Sequence, residues 1–121
     1  MDKHSHFALF VSEDKTLIEK VEEYCHSEKL KIVSYHNNDD LIKNIYKEDL
    51  KILFLDDKFP HYKKIFHFLY NLSLEYRNNF LCVLMSDNFN SGDLVQAFNH
   101  SVDVVIHKSK MSEMKKYLAI K

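Results

Sequence analysis

Residues 52–60 read ILFLDDKFP, an apolar run that ends in an acidic doublet, a lysine and, two residues later, a proline. A short and continuously apolar run of this kind favours a strand that is covered on both faces, as strands of parallel sheets are. In parallel sheets flanked by helices, functional side chains gather beyond the carboxyl ends of the strands. The doublet, Asp56 and Asp57, is therefore the first place to look for chemistry.

The pairing of a short apolar run with a longer amphipathic segment occurs five times along the chain. The runs predicted as strands are residues 7–11, 31–35, 52–55, 80–85 and 102–106. This alternation predicts the α/β class, with a three-layer (βα)5 doubly wound parallel sheet and right-handed crossovers. No repeat, linker or low-complexity tract interrupts it. Residues 1–121 are therefore predicted to form a single domain, with residues 1–6 as a mobile tail.

The segments between the predicted strands carry helix signals. Helix-start patterns occupy residues 12–14 and 37–40,. One helix is expected to follow Pro60 and to keep Leu72 on its apolar face, and Ser112 is expected to cap the last helix. In the short helix of residues 93–100, the apolar residues expected to face the core are Leu94, Val95, Ala97 and Phe98.

Composition excludes several classes of protein. With 17 Lys and Arg against 18 Asp and Glu, the net charge of -1 lacks the basic excess of a nucleic-acid-binding domain,. The first residues show no signal-peptide pattern, and no apolar run approaches the ~20 residues of a membrane span, so we expect a cytoplasmic protein. The single glycine excludes a Gly-rich nucleotide-binding loop,. The two cysteines are expected to be buried and reduced.

Polar side chains follow four of the five predicted strands. They are Ser12, Glu13 and Asp14; Asp56, Asp57 and Lys58; Ser86 and Asp87; and His107, Lys108 and Ser109. Carboxylate oxygens suit Mg²⁺, a carboxylate can attack a phosphoryl group, and a lysine can offset the charge on the transferring oxygens. Helix starts favour Ser, Asp and Glu in any case. Capping does not, however, explain Lys108 or the doublet that closes the third strand.

The order and spacing of these residues resemble those of response-regulator receiver domains over residues 7–118. Asp56 falls at the phosphoacceptor position, with Pro60 four residues later. Ser86 falls where receivers carry a hydroxyl that contacts the phosphoryl group, and Lys108 where they carry the lysine that pairs with it. The resemblance implies a flavodoxin-like receiver fold with strand order 2-1-3-4-5. It also implies a Mg²⁺ site made by Glu13, Asp56 and the Lys58 backbone carbonyl, with Asp14 as an additional candidate ligand.

The implied function is that of a stand-alone receiver in two-component signalling rather than of an enzyme. A sensor histidine kinase would transfer a phosphoryl group to Asp56, and the domain would signal through protein contacts. The expected partners are this kinase or another signalling protein. Phe68 and Tyr70 are predicted to lie off the inner face of their helix and to form an exposed apolar patch, which would be available to a partner or to a second copy in a homodimer.

Several positions depart from the receiver pattern, among them Lys63 and Lys64 in place of an acidic-glycine pair, and they leave two alternatives open. Ser12 replaces the first residue of an acidic pair, and Asp87 stands where receivers usually have a small residue. Val105 replaces an aromatic residue that changes rotamer on activation, and Ser109 replaces a proline. The first alternative is a pseudo-receiver that acts as a phosphorylation-independent interaction module. The second is a small flavodoxin-like protein that binds a cofactor.

Overall fold

The computed structural model describes residues 6–118, so the predicted tail lies outside the described residues except for His6. Five parallel strands form one sheet in the order β2-β1-β3-β4-β5. Their bounds are β1 Phe7–Val11, β2 Lys31–Ser34, β3 Leu50–Asp56, β4 Leu81–Ser86 and β5 Val104–His107. The predicted fold class and strand order are confirmed.

Helices cover both faces of the sheet. In the described part of the chain, six are α-helical: α1 Lys15–Ser27, α2 Asn38–Ile45, α3 Tyr62–Tyr70, α4 Leu74–Arg77, α5 Leu94–Asn99 and α6 Met114–Tyr117. A 3₁₀ helix, Lys108–Glu113, lies between β5 and α6. Within residues 6–118, no helix has the length and apolar character needed to cross a bilayer.

The central strands carry the core. Every residue of β1 and β4 is buried, and β3 is buried except at Lys51. Side chains alternate between two apolar clusters, one on each face of the sheet,. Leu55 belongs to the cluster under α2 and α3, whereas Phe54 belongs to the cluster under α1 and α6. Asp56 follows Leu55, so its side chain lies on the α1 side of the sheet.

Helix starts agree with the predicted signals at α1 and α2. Asp14 and Asn37 are the N-cap residues, and the side chain of each accepts a backbone N–H of the following turn,. The prediction for the last helix is wrong, because Ser112 lies inside the 3₁₀ helix and Glu113 precedes α6. The chain turns immediately after β5, where the His107 ring accepts the Ser109 N–H.

The apolar face predicted for α5 is mostly exposed, so that expectation is wrong. Ala97 is buried, but Leu94, Val95 and Phe98 are 80%, 66% and 84% exposed. Ala97 faces the sheet, whereas Leu94 and Phe98, which are four residues apart, share a face of α5 that is turned toward solvent,. On α3, Tyr70 is exposed as expected, whereas Phe68 packs partly against the core.

The loop before α5 covers the outer edge of β5. Gly92 donates its N–H to the Val105 carbonyl at 2.8 Å, and Ser91 Oγ accepts the His107 N–H at 2.8 Å. Gly92 has a φ of 78°, in the region that favours glycine, and its Cα faces the ring of Tyr117,. An edge strand paired in this way is less able to add a strand from another chain.

Candidate functional site

Asp56 is the last residue of β3 and is only 3% exposed. The register of the sheet places Val11 beside Leu55 and Met85 beside Asp56. Ser12, which follows β1, therefore lies next to the Asp56 carboxylate. This arrangement follows from the topology, because parallel strands bring their carboxyl ends to one edge of the sheet.

Three donors hold the Asp56 carboxylate. Its Oδ1 accepts the Lys58 N–H at 2.9 Å and lies 2.6 Å from the Lys108 Nζ. Its Oδ2 accepts the hydroxyl of Ser12 at 2.5 Å. A carboxylate offers about four acceptor positions, so these contacts leave about one of them open, on Oδ2.

Lys108 is the cation of the site. Its side chain is 9% exposed, and besides Asp56 its Nζ lies 3.9 Å from Asp57 Oδ1. The side chain of Asp57 is also 9% exposed, and its buried Oδ1 has no hydrogen-bond partner among residues 6–118. One ammonium thus faces two carboxylates in a place with little water, where such charges interact strongly.

Ser86 and Asp87 form the neighbouring wall at the end of β4. Ser86 is fully buried, and its Oγ accepts the Asn88 N–H at 2.9 Å. Because the Oγ acts there as an acceptor, its own proton remains available to a group entering the site. Asp87 is turned toward solvent and pairs with the exposed Lys58 at 3.4 Å.

Glu13 and Asp14 lie at the rim of the site and are exposed. Asp14 Oδ1 accepts the N–H of Thr16 at 2.8 Å and that of Leu17 at 3.3 Å, so its carboxylate caps α1. The bond from Thr16 is the main reason why the pKa of Asp14 lies below its ordinary value,. Asp14 is thus engaged in holding the helix.

Glu13, Asp14 and Asp56, the side chains expected to bind Mg²⁺, do not form a cluster. Among residues 6–118, no three acidic, His or Cys side chains come together as a group that could hold a metal ion. Lys108 and the Lys58 N–H both contact Asp56 Oδ1, and the neutral Ser12 contacts Oδ2. Mg²⁺ requires a nearly ideal octahedral shell of oxygen atoms. The arrangement therefore does not fit a resident divalent cation.

Comparison with known proteins identifies the fold. No protein-family model and no curated protein matches the sequence. Seven chains among the solved structures match. One is the signal receiver domain of a Vibrio parahaemolyticus protein described as a LuxO repressor, with a TM-score of 0.64, 14% identity, and coverage of 90% of this chain and 83% of that chain. The chain has the fold of response-regulator receiver domains.

Two further structures support this conclusion. The BeF3-activated DrrB receiver domain matches with a TM-score of 0.60 at 15% identity, over 91% of this chain and 94% of that one. A chain from the complex of the P1 domain of CheA3 with CheY6 from R. sphaeroides matches with a TM-score of 0.61 at 16% identity, over 94% and 97%. At these identities the likeness is one of fold, so the chemistry of this receiver-like site has to be argued from its own residues.

Within the receiver fold, the predicted site residues have different surroundings. Asp56 and Lys108 are in contact, and Ser86 is buried at the end of the neighbouring strand. Sequence reasoning placed Ser12 at a strand end and noted that it replaces an acidic residue, but it missed the contact between Ser12 and Asp56. It also gave Asp57 no role of its own. The available signal was the position of both residues directly at strand ends.

Proposed function

We propose that this chain is a receiver-type signalling domain in which Asp56 accepts a phosphoryl group from a sensor histidine kinase. The observation that carries the proposal is the buried Asp56 at the carboxyl end of β3, with the Lys108 ammonium 2.6 Å from its carboxylate. A carboxylate can act as a nucleophile toward phosphorus, and a fixed cation beside it stabilises the charge that develops during transfer. The domain acts through protein contacts and is not itself an enzyme.

The transfer step uses the acceptor position left on Asp56 Oδ2. An oxygen–phosphorus bond forms at Oδ2 while the phosphorus–nitrogen bond to the kinase histidine breaks, and the electron pair of that bond returns to the imidazole. Lys108 stays beside the carboxylate and offsets part of the added negative charge. The Ser86 hydroxyl, whose proton is uncommitted, donates to a phosphoryl oxygen,.

The partner surface that we propose is the exposed apolar side of α5. Leu94, Val95 and Phe98 lie there, in a segment adjoining the loop that pairs with β5. A group of exposed apolar side chains is typical of a protein-binding site. The hydrogen bond from Gly92 to Val105 joins the loop before α5 to β5, three residues before Lys108. One of the structures with the same fold is a complex between the P1 domain of CheA3 and CheY6, which is a protein–protein complex.

The test is direct phosphorylation with a small phosphodonor. Intact-mass spectrometry of wild type should show one added phosphoryl group, which mild base removes. Asp56→Asn should show none, and Asp57→Asn should retain the modification because Asp57 is not the nucleophile. Modification of Asp56→Asn to the wild-type extent would contradict the proposal.

A phosphorylation-independent interaction module is the second candidate, and the Ser12–Asp56 hydrogen bond favours it. This bond engages the oxygen that would attack, at 2.5 Å. In that case wild type and Asp56→Asn would both remain unmodified and would bind the same partner with equal affinity. Amide shifts near Asp56 on addition of beryllofluoride, absent in Asp56→Asn, would exclude this candidate.

A further inference from the structure

The cation in this site is part of the chain. We propose that Lys108 is the resident counter-ion of the Asp56–Asp57 pair, and that Ser12 completes the arrangement so that a divalent cation is kept out of the native site. If Asp56 accepts a phosphoryl group, as proposed above, the transfer relies on Lys108 rather than on a metal. Only this consequence rests on the proposed function. The exclusion of the metal can be measured without phosphorylation.

The first support is the occupancy of Asp56. Oδ1 has two donors, the Lys58 N–H at 2.9 Å and the Lys108 Nζ at 2.6 Å. A metal ion bound to Oδ1 would have to displace one of them. Displacing the Lys58 N–H opens the turn after β3, and displacing Lys108 leaves a buried ammonium without its nearest carboxylate, which is costly.

The second support is Asp57. Within the part of the chain that the structure describes, its buried Oδ1 has no hydrogen bond, and the Lys108 Nζ lies 3.9 Å from it. A buried carboxylate oxygen without a donor is unfavourable unless a charge nearby compensates. Lys108 offsets the negative charges of both Asp56 and Asp57. Without the lysine, the two carboxylates would repel each other with no cation beside them.

The third support is the fixed orientation of Ser12. Its Oγ accepts the Asp14 N–H at 3.0 Å, and its single proton goes to Asp56 Oδ2 at 2.5 Å. The hydroxyl is therefore held from both sides, between the first turn of α1 and the end of β3. Ser12 therefore gives Asp56 a hydrogen-bond donor, whereas a divalent cation at the same place would need a second carboxylate as a ligand,.

The experiment measures the melting temperature in about 10 mM MgCl₂ and in KCl of matched ionic strength, which separates binding from charge screening. Wild type should melt at the same temperature in both. Ser12→Asp and Lys108→Met should each melt about 4 °C higher in MgCl₂, the shift expected for millimolar affinity in a domain of this size. The first variant adds an anionic ligand, and the second frees Oδ1.

Ser73→Asp is the matched control, since it makes the same substitution at an exposed serine before α4. It should respond to MgCl₂ as wild type does. Far-UV circular dichroism reports whether each variant is folded. A variant that is unfolded with chelator and folded with MgCl₂ supports the inference most strongly, and either variant alone is sufficient to support it.

Two results overturn the inference: a wild type that melts about 4 °C higher in MgCl₂, or no gain in any folded variant. The proposed function is judged separately, by phosphodonor labelling of the same wild-type protein. Labelling together with Mg²⁺-dependent melting would contradict the inference and support the function. The opposite result has three parts: wild type melts at the same temperature with and without Mg²⁺, it is not labelled, and a variant melts higher in MgCl₂. That result would support the inference and contradict the function.

Discussion

At the scale of single residues, Asp14 connects the site to the stability of α1. We predict that Asp14→Ala lowers the free energy of unfolding by about 1 kcal/mol at pH 7, because two N–H groups of the first turn lose their acceptor,. The pKa of the folded Asp14 lies below the ordinary value of 3.8, mainly through the Thr16 N–H. Its charge-dependent stabilisation is therefore complete above pH 3.8 and is lost as the pH falls through the lowered pKa,.

Urea unfolding of wild type and Asp14→Ala at pH 7 and near pH 2.5 checks this dependence, and the difference between them should shrink at the lower pH. Asp14→Asn is the control, because an asparagine caps a helix nearly as well without a charge that titrates. It should lose little at pH 7. A difference between wild type and Asp14→Ala that is equally large at both pH values would contradict the assignment.

Residue identity predicted part of the site. Asp56 and Lys108 were placed at strand ends by the apolar runs before them, and the structure puts them in contact. The role of Ser12 could not be read in the same way, because a hydroxyl at a strand end can cap a helix, bind a ligand or face water. Which of these outcomes occurs depends on the register of β1 against β3, which places Ser12 beside Asp56.

At the scale of elements, α4 depends on one arginine. This helix has four residues and buries none of them. Arg77 donates to the carbonyls of Phe80 at 3.3 Å and Ser101 at 3.2 Å, and pairs with Asp103 at 3.0 Å. Asp103 in turn accepts the Cys82 N–H at 2.7 Å. Arg77 therefore joins α4 to the amino ends of β4 and β5.

We predict that Arg77→Met lowers the free energy of unfolding by about 2 kcal/mol, because two carbonyls and a carboxylate lose a charged donor while the apolar stem is kept. Arg77→Lys should lose less, since a single ammonium can keep the pair with Asp103 but cannot serve both carbonyls. Urea denaturation followed by circular dichroism measures both variants. Equal stability of wild type and Arg77→Met would show that the contacts of this arginine are not stabilising.

Element boundaries were predicted less well than element types. The strands stood out because each is a short apolar run, and the central ones are buried on both faces. The separate α3 and α4, the 3₁₀ helix after β5 and the exposed side of α5 were missed. Contacts between residues distant in sequence also fix parts of the chain, as the bond from Gly92 to Val105 fixes the loop before α5, and helical periodicity does not report them,.

At the scale of the whole molecule, both apolar clusters of the core contain side chains that ionise at alkaline pH. Cys82 in β4 and Tyr24 with Cys25 in α1 are buried on those faces. Burial is the main cause that raises the pKa of each of these three groups to about 12,. All three are therefore neutral in the folded protein well above the pH at which they ionise in the unfolded chain.

Alkaline pH should consequently destabilise the fold as a whole. A thiol whose pKa is raised by folding stabilises the folded state fully at pH values below its pKa in the unfolded chain, which is 9.0,. This stabilisation is lost as the pH rises toward the folded pKa of about 12,. For the fully buried Cys82 the loss by pH 10 is about 1 kcal/mol,. Urea midpoints at pH 8 and pH 10 measure it in wild type and in Cys82→Ala. The variant should begin less stable, because it leaves a small cavity, and should then lose less between the two pH values. An equal loss in both proteins would mean that the Cys82 thiol is not protected by the core.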